Sequence, residues 1–541
     1  MDIRIVSSLE KCFLDQQIDE KMPLDSLSLL GNEIASFQLA YQHAEDDRSI
    51  PIRLYITSPA GDAVKLYTVV NTPVIMPDVK EARRPANFME RDTIGLYPDI
   101  LEPYTSGEIL FRGSHLLSAV WVSIEAEGLA PGEYPIHFAF TDYNGRPIGE
   151  HDFSFTVLPL RMKKDSFKYT QWFHSDCLAD YYHVDVFSEE HWRIMENYIR
   201  TAVKFGINMI LTPIFTPPLD TQVGGERPTV QLIDVKRDNG QYSFEFSKLE
   251  RFIHMCLACG VEYFEMAHLF TQWGANHAPK IMATENGEYK RIFGWETEAS
   301  GDEYKAFLDA LLPALIAYLK TRGIDQICYW HISDEPHGAQ IVDYMKAKAI
   351  VEPYLKDYVI MDALSEYQFY ESGALETPIP RDFAIAPFLE HNVPDLWTYY
   401  CMRPGHAARA GATRIYGAYF YKFNIVGFLN WGYNFYYSRN SIRPVDPYRD
   451  TTGEMFGPAG DAFVVYPGEG GVPVPSMRLY TFFEALQDMR ALRLCEEKHG
   501  RDFTLNLIEE TLGGTLTIGE FPEDNNFPLR LREKVNAALA E

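Results

Sequence analysis

The run Cys328-Tyr329-Trp330-His331-Ile332-Ser333-Asp334-Glu335-Pro336 constrains this chain more than any other. Its aromatic and β-branched start reads as a buried strand, ended by two adjacent acids and a proline. Pro336 has no N–H and disfavours helical dihedrals at Glu335, so the strand should stop at the acids. Neighbours on an extended chain point opposite ways, and both carboxyls reach one cavity only if the backbone breaks between them. Two carboxylates at the carboxyl end of an inner strand, with Trp and His before them, suit glycosidic bond chemistry. A solvated Asp-Glu pair at a helix N-terminus fits the spacing equally well. The surrounding chain has to decide.

From Phe167 onward the pattern is strand, loop, helix, repeated. Apolar strand candidates fall at 169–173, 209–214, 263–269, 327–332, 359–361, 383–386, 396–400 and 427–430, with helical patterns at 192–205, 249–259, 304–322 and 341–355. That count matches a (β/α)8 TIM barrel over 161–455. A doubly wound open sheet fits less well, because no Gly-rich phosphate fingerprint follows the first strand. No Walker, HExxH or GxSxG motif occurs either. At 541 residues the chain exceeds a single core. Residues 1–160 alternate apolar and polar at 36–41, 52–56, 119–124 and 136–140, with a hairpin signal at Asn144-Gly145. These features predict an N-terminal β-sandwich. Residues 456–541 predict a strand/helix segment closing the barrel, built on a strand-like 462–466, a long amphipathic helix at 477–499 and a last helix at 529–540.

Catalytic groups of such barrels sit where strands end. Those positions carry His174 and Asp176, then a long loop at 216–228, then His268 and Trp273, then Asp334 and Glu335. Glu366, Tyr367, Glu390, Tyr400, Trp431 and Asn434 follow at later strands. Each alone has a structural explanation: a backbone-bonded histidine, a core tryptophan, a solvated acid. Their recurrence at one end of most strands makes them candidates together. Asp334 and Glu335 are expected to be catalytic. His174, Asp176, His268, Trp273, Tyr367, Tyr400, Trp431 and Asn434 are expected to bind substrate. No His or acid spacing suits zinc, so no metal and no cofactor are expected.

A formal charge of −27 argues against nucleic acid or an anionic membrane as partner. Aromatics reach 14%, and their flat faces suit sugar rings. Of seven scattered cysteines, Cys256 and Cys259 have knuckle spacing without a second pair, and read as helix cysteines. No apolar run could span a bilayer, and the start lacks an apolar signal region. The expectation is a reduced, cytoplasmic protein.

Tyr329-Trp330-His331-Ile332-Ser333-Asp334-Glu335-Pro336 resembles the signature of glycoside hydrolase family 123 and of the broader domain of unknown function 4091. Gly31-Asn32-Glu33-Ile34-Ala35-Ser36-Phe37-Gln38, Leu96-Tyr97-Pro98-Asp99, Pro131-Gly132-Glu133-Tyr134, Phe428-Leu429-Asn430-Trp431 and Phe463-Val464-Val465-Tyr466-Pro467-Gly468 also look like that group. The likeness runs from about residue 30 to 490. It implies a β-N-acetylgalactosaminidase acting on a small oligosaccharide or glycoconjugate, in which Asp334 orients the substrate's 2-acetamido group and Glu335 is the general acid/base. Trp431 is placed to floor the sugar and Tyr400 to bond the acetamide oxygen; these two are guesses from position. Two rivals stay open: a retaining glycosidase whose nucleophile is a distant acid such as Glu390 or Glu366, and an inactive carbohydrate-binding barrel.

Overall fold

The computed structural model describes residues 1–43, 50–78, 87–104, 111–113, 115–400 and 405–541. Cys401 lies outside them. The N-terminal region is β-rich. One five-stranded sheet runs in the order Asp2–Ser7, Ile34–Gln42, Ser118–Glu125, Val64–Val74, Gly95–Pro103. The other runs Leu27–Leu30, Pro147–Leu158, Gly132–Asp142, Ile50–Thr57, Phe111–Gly113. All neighbours are antiparallel except Leu27–Leu30, which lies parallel to Pro147–Leu158. Period-two alternation puts Phe37, Leu39 and Val122 of one sheet and Leu54, Phe138 and Phe155 of the other into one shared apolar core.

The region that follows is mixed α/β, with its parallel strands forming a half-barrel. Six strands run in the spatial order Cys328–Tyr329, Tyr263–Met266, Met209–Thr212, Lys168–Gln171, Gly427–Asn430, Trp397–Tyr399. Met361–Leu364 and Thr377–Pro380 form a separate parallel pair. Single parallel bridges, Trp330 to Ile360 and Arg381 to Tyr399, join that pair to the six on either side. The expected sixth strand at 383–386 is corrected, because those residues form short helical turns. The strand is Thr377–Pro380, whose two prolines remove ladder donors and hide it from a propensity reading. The expected strand at 359–361 shifts to Met361–Leu364.

Helices Glu189–Lys204, Ser247–Cys259, Asp302–Thr321 and Ile341–Leu355 cover the strands, close to their expected limits. Cys256 and Cys259 are free thiols in the second of these. No helix among the described residues is long and apolar enough to cross a membrane.

Helix Met477–His499 is not amphipathic as expected. Its residues from Met477 to Met489 are all buried, because its charges find partners inside the protein. Arg478 clamps Asp99 with two bonds of 2.9 Å, and Tyr466 donates to the same carboxylate at 2.7 Å. Arg478 also donates to the carbonyls of Gly460 (2.5 Å) and Phe463 (2.7 Å). Nearby, Arg414 bonds Glu484 and Asp488, and Arg532 bonds Asp488 and Glu33. These buried pairs tie the N-terminal region, helix Ala410–Arg414 and the last helices together. The tail is therefore a joint between regions as well as a closure.

Candidate active site

A cavity of about 210 Å³ opens where the parallel strands end. Asp334 and Glu335 both line it. The strand breaks between them as the proline predicted: Glu335 adopts a left-handed backbone, φ 42°. Trp273 (φ 57°) and Asp220 (φ 45°) line the same cavity with left-handed backbones. Non-glycine residues hold such dihedrals at a cost, and only where the surroundings over-determine them. Here they do. Glu335 N–H donates to the Ala363 carbonyl at 3.0 Å, and Trp273 N–H to the Asp334 carbonyl at 2.7 Å. Beside Trp273, Gly274 sits at φ 117°, where a Cβ would strike the Gln340 side chain that holds the Trp273 carbonyl.

Glu335 is gripped on one oxygen. Its Oε1 accepts from Arg381 Nη2 at 2.8 Å and from the Tyr399 hydroxyl, while Arg381 Nε donates to that hydroxyl at 3.1 Å. Oε2 has no partner among the described residues. Asp334 is only 9% exposed, and its carboxyl accepts no hydrogen bond from any described residue. Burial, with the neighbouring charges of Glu335 and Asp220, pushes its carboxyl well above the usual range, against the pull of His331.

Behind the acids lies a buried ion triad. His331 Nε2 sits 2.7 Å from Glu265 and Nδ1 2.9 Å from Asp362. Two carboxylate partners require both ring nitrogens to carry protons. Burial alone would lower the imidazole, but the bonds to Asp362 and Glu265 lift it to about 10. Asp362 also takes the backbone N–H groups of Ile332 (3.1 Å) and Ser333 (3.4 Å), and Glu265 takes Trp172 Nε1 at 2.7 Å. One triad thus fixes both the peptide leading into the acids and an indole in the cavity wall.

His268, His331 and Asp362 bring one possible ligand atom each within 4.8 Å of one another. Both ring nitrogens of His331 face carboxylates, so a metal at this cluster would have to displace a proton from that ring.

The sequence profile described as glycoside hydrolase 123, catalytic domain, matches residues 172–495. The chain belongs to glycoside hydrolase family 123. It is therefore a glycoside hydrolase, which sets aside the reading of a carbohydrate-binding barrel without activity, and its substrates are carbohydrates. Among solved structures it is similar to a family 123 glycoside hydrolase from Clostridium perfringens, reported in a study of glycolipid glycan hydrolysis. The TM-score is 0.74 at 14% identity, over 99% of this chain and 97% of that one. A Parabacteroides merdae β-glucuronidase (TM-score 0.31, 11% identity, 86% of this chain, 53% of that one) and a Thermotoga petrophila endo-β-1,4-mannanase (0.34, 11%, 61%, 77%) align far less closely. No curated protein sequence matches the chain.

Of the residues expected at the site of this family 123 chain, Asp334, Glu335, Trp273 and Trp431 line the cavity. The other six stand behind or beside it. Tyr400 is a core residue, packed on Phe428 and Tyr416, because its neighbour Tyr399 takes the cavity-facing side of the strand. Asp176 is locked in a fully buried pair with Arg227, at 2.6 and 2.8 Å. His174 accepts from the same guanidinium at 3.1 Å and bonds the Trp431 carbonyl at 3.2 Å. Burial and Arg227 push it down to about 3, a neutral ring. Asn434 exchanges two bonds with the backbone of His174. His268 is stacked 4.2 Å from His331, and Tyr367 stacks on His391. Neither rival nucleophile lines the cavity: Glu390 is exposed, and Glu366 is bonded to Gly338 and Gln368.

Trp172, Asp220, Arg381, Tyr399 and Asp461 also line the cavity though none was expected to bind substrate; Asp220 lies in the loop 216–228 expected at the strand ends. Asp461 accepts from Trp431 Nε1 at 3.3 Å, and the wall runs through 451–462, across the expected domain boundary at 455. Gly432 lets this wall close, since a Cβ there would meet the Asp461 and Ala462 backbone at 2.6–2.8 Å.

Proposed function

We propose that the enzyme releases a terminal β-linked N-acetylhexosamine, GalNAc foremost, by a substrate-assisted retaining mechanism. The observation that carries this reading is the contrast within the acid pair. Among the described residues, Glu335 is held on one oxygen with no partner on the other, while Asp334 is buried in the cavity wall and has no donor.

A protonated Glu335 gives its Oε2 proton to the glycosidic oxygen as the C1–O bond breaks. The substrate's acetamide oxygen attacks C1 and forms an oxazolinium ring, so no enzyme nucleophile is needed. Asp334, whose carboxyl burial raises, is drawn to its ionised form by the developing positive charge of the ring, accepts the amide N–H and offsets that charge. Water then attacks C1, Glu335 takes its proton, and the ring opens to restore the acetamide with the β configuration kept. Arg381 and Tyr399 steady the carboxyl through both steps. Trp431, Trp273 and Trp172 supply apolar faces for the sugar.

The eight parallel strands, with their two single-bridge joints, are proposed to work as one (β/α)8 barrel over 161–455. The sandwich covers 1–160 and the closing segment 456–541. Cytoplasmic action on small oligosaccharides or glycoconjugates fits the unbridged cysteines at 12, 177, 256, 259, 328 and 495. The test is turnover of a panel of nitrophenyl β-glycosides with and without a 2-acetamido group, and inhibition by a thiazoline mimic of the oxazolinium. Cleavage of the N-acetylhexosaminides alone, blocked by the thiazoline, is expected. Equal cleavage of the plain glycosides without thiazoline inhibition would refute the reading.

A further inference from the structure

The cavity holds more acid than the two-carboxyl mechanism uses. Asp220, in the long loop after strand Met209–Thr212, lines it together with Asp334 and Glu335. Its place is fixed from both sides. Its N–H donates to Gln272 Oε1 at 2.6 Å, and its carbonyl accepts from Ser441 Oγ at 2.8 Å. The preceding carbonyl, Leu219, accepts from Arg227 at 3.0 Å, and Arg227 is clamped in turn by Asp176. After Asp220, Gln222 N–H bonds the Asn440 carbonyl at 2.9 Å. So a loop residue with a left-handed backbone is held as firmly as a strand residue.

No described residue donates a hydrogen bond to the Asp220 carboxyl. Burial lifts it to about 7, with Arg227 opposing and Glu335 adding to the rise. The other cavity acids differ. Glu335 is bonded by Arg381 and Tyr399, and Asp461 by Trp431. Asp334 and Asp220 alone face the cavity without a donor from the described residues. A carboxyl left so is costly unless something that enters completes it. The substrate amide is assigned to Asp334 under the reading above; a second donor on the same ligand is needed for Asp220.

We propose that Asp220 is a specificity-determining residue of the sugar subsite, accepting a hydrogen bond from one ring or exocyclic hydroxyl of the hexosamine whose amide Asp334 holds. The inference rests on the proposed function only in naming that sugar. The placement and missing donor of Asp220 stand without it.

The experiment is a substrate–enzyme cycle. Wild type, Asp220→Ala and Asp220→Asn are assayed for kcat/KM on the nitrophenyl N-acetyl-β-hexosaminide and on its 3-, 4- and 6-deoxy analogues. Asparagine tolerates the left-handed backbone and is nearly isosteric, so Asp220→Asn guards against a folding defect. Asp220→Ala is expected to lose roughly 10- to 100-fold on the parent sugar, the range for a hydrogen bond to a charged group. On the one deoxy analogue that lacks the partner hydroxyl, the same change should cost less than about threefold, the two losses being shared. A loss of equal size on every analogue would overturn the proposal and make Asp220 a structural residue. If wild type cleaves only glycosides without an acetamido group, the functional reading fails. The same cycle on the sugar it does cleave still decides Asp220.

Discussion

Two groups of buried acids in this protein have opposite surroundings. At the junction of the regions, Asp99, Glu33, Glu484 and Asp488 each meet an arginine. In the cavity, Asp334 and Asp220 meet none among the described residues, and Glu335 pairs with Arg381. At Asp99 the electrostatics follow the pairing, whereas at Glu33 and Glu484 burial outweighs the arginines and raises the carboxyl, Glu484 to about 7. Although burial works against it, Arg478 and His406 hold the Asp99 carboxyl well below the usual carboxylate range. Asp334, also buried, is pushed well above it. Pairing acids at the joint bonds three chain segments to one another. Leaving acids unpaired in the cavity reserves them for a ligand, at the expense of stability.

The contrast predicts which damage goes where. Glu335→Gln should lower kcat by roughly 10²- to 10⁴-fold with the Tm nearly unchanged, since it removes a proton carrier and keeps an acceptor for Arg381 and Tyr399. A steeper loss on alkyl than on nitrophenyl leaving groups would identify the proton-donating step, and the same loss on both would argue against it.

Arg478→Met should do the reverse. It strands Asp99 without its arginine and should cost about 3–5 kcal/mol in urea unfolding, with kcat per folded molecule within a few-fold of wild type. The paired Asp99 has a lowered folded pKa, so its contribution is present above the normal carboxylate range and fades as the pH falls. The gap between Arg478→Met and wild type should narrow on acidification. A gap that widened would show that Asp99 is not the partner that matters.

Asp220→Asn gives the smallest effect and has the opposite sign. The folded carboxyl titrates near 7 against an ordinary 3.8, so the folded state holds the extra proton between those values and wild-type stability falls as the pH rises through them. Asp220→Asn should be more stable than wild type at pH 8 and indistinguishable at pH 3. Thermal melts at the two values check this; a variant less stable at pH 8 would mean that the protein partners Asp220 after all.

Much of this architecture was legible because burial patterns are local. The acid pair, its terminating proline and the limits of Ile341–Leu355 and Met477–His499 follow from residue types alone. What was hidden depends on neighbours far away in sequence. Tyr399 and Tyr400 are one strand step apart, and only the ladder with Gly427–Asn430 says which of them faces the cavity. Thr377–Pro380 was invisible because its prolines speak against a strand. Asp220 and Arg381 carry no motif; their importance comes from the loop clamp and from Glu335, more than forty residues from Arg381. His174, Asp176 and Asn434 were expected to touch sugar. The structure spends them instead on fixing Arg227 and the Trp431 wall, a role that adjacent residue types do not announce.

In the proposed mechanism Asp334 serves the substrate's amide. The direct measurement is kcat/KM of Asp334→Asn against wild type on a nitrophenyl N-acetyl-β-hexosaminide, with the thiazoline inhibition constant determined for both. The expected result is a fall of roughly 10²- to 10³-fold in kcat/KM, as for loss of one charge-stabilising group, with weakened thiazoline binding. Near-wild-type turnover and unchanged inhibition in Asp334→Asn would contradict it.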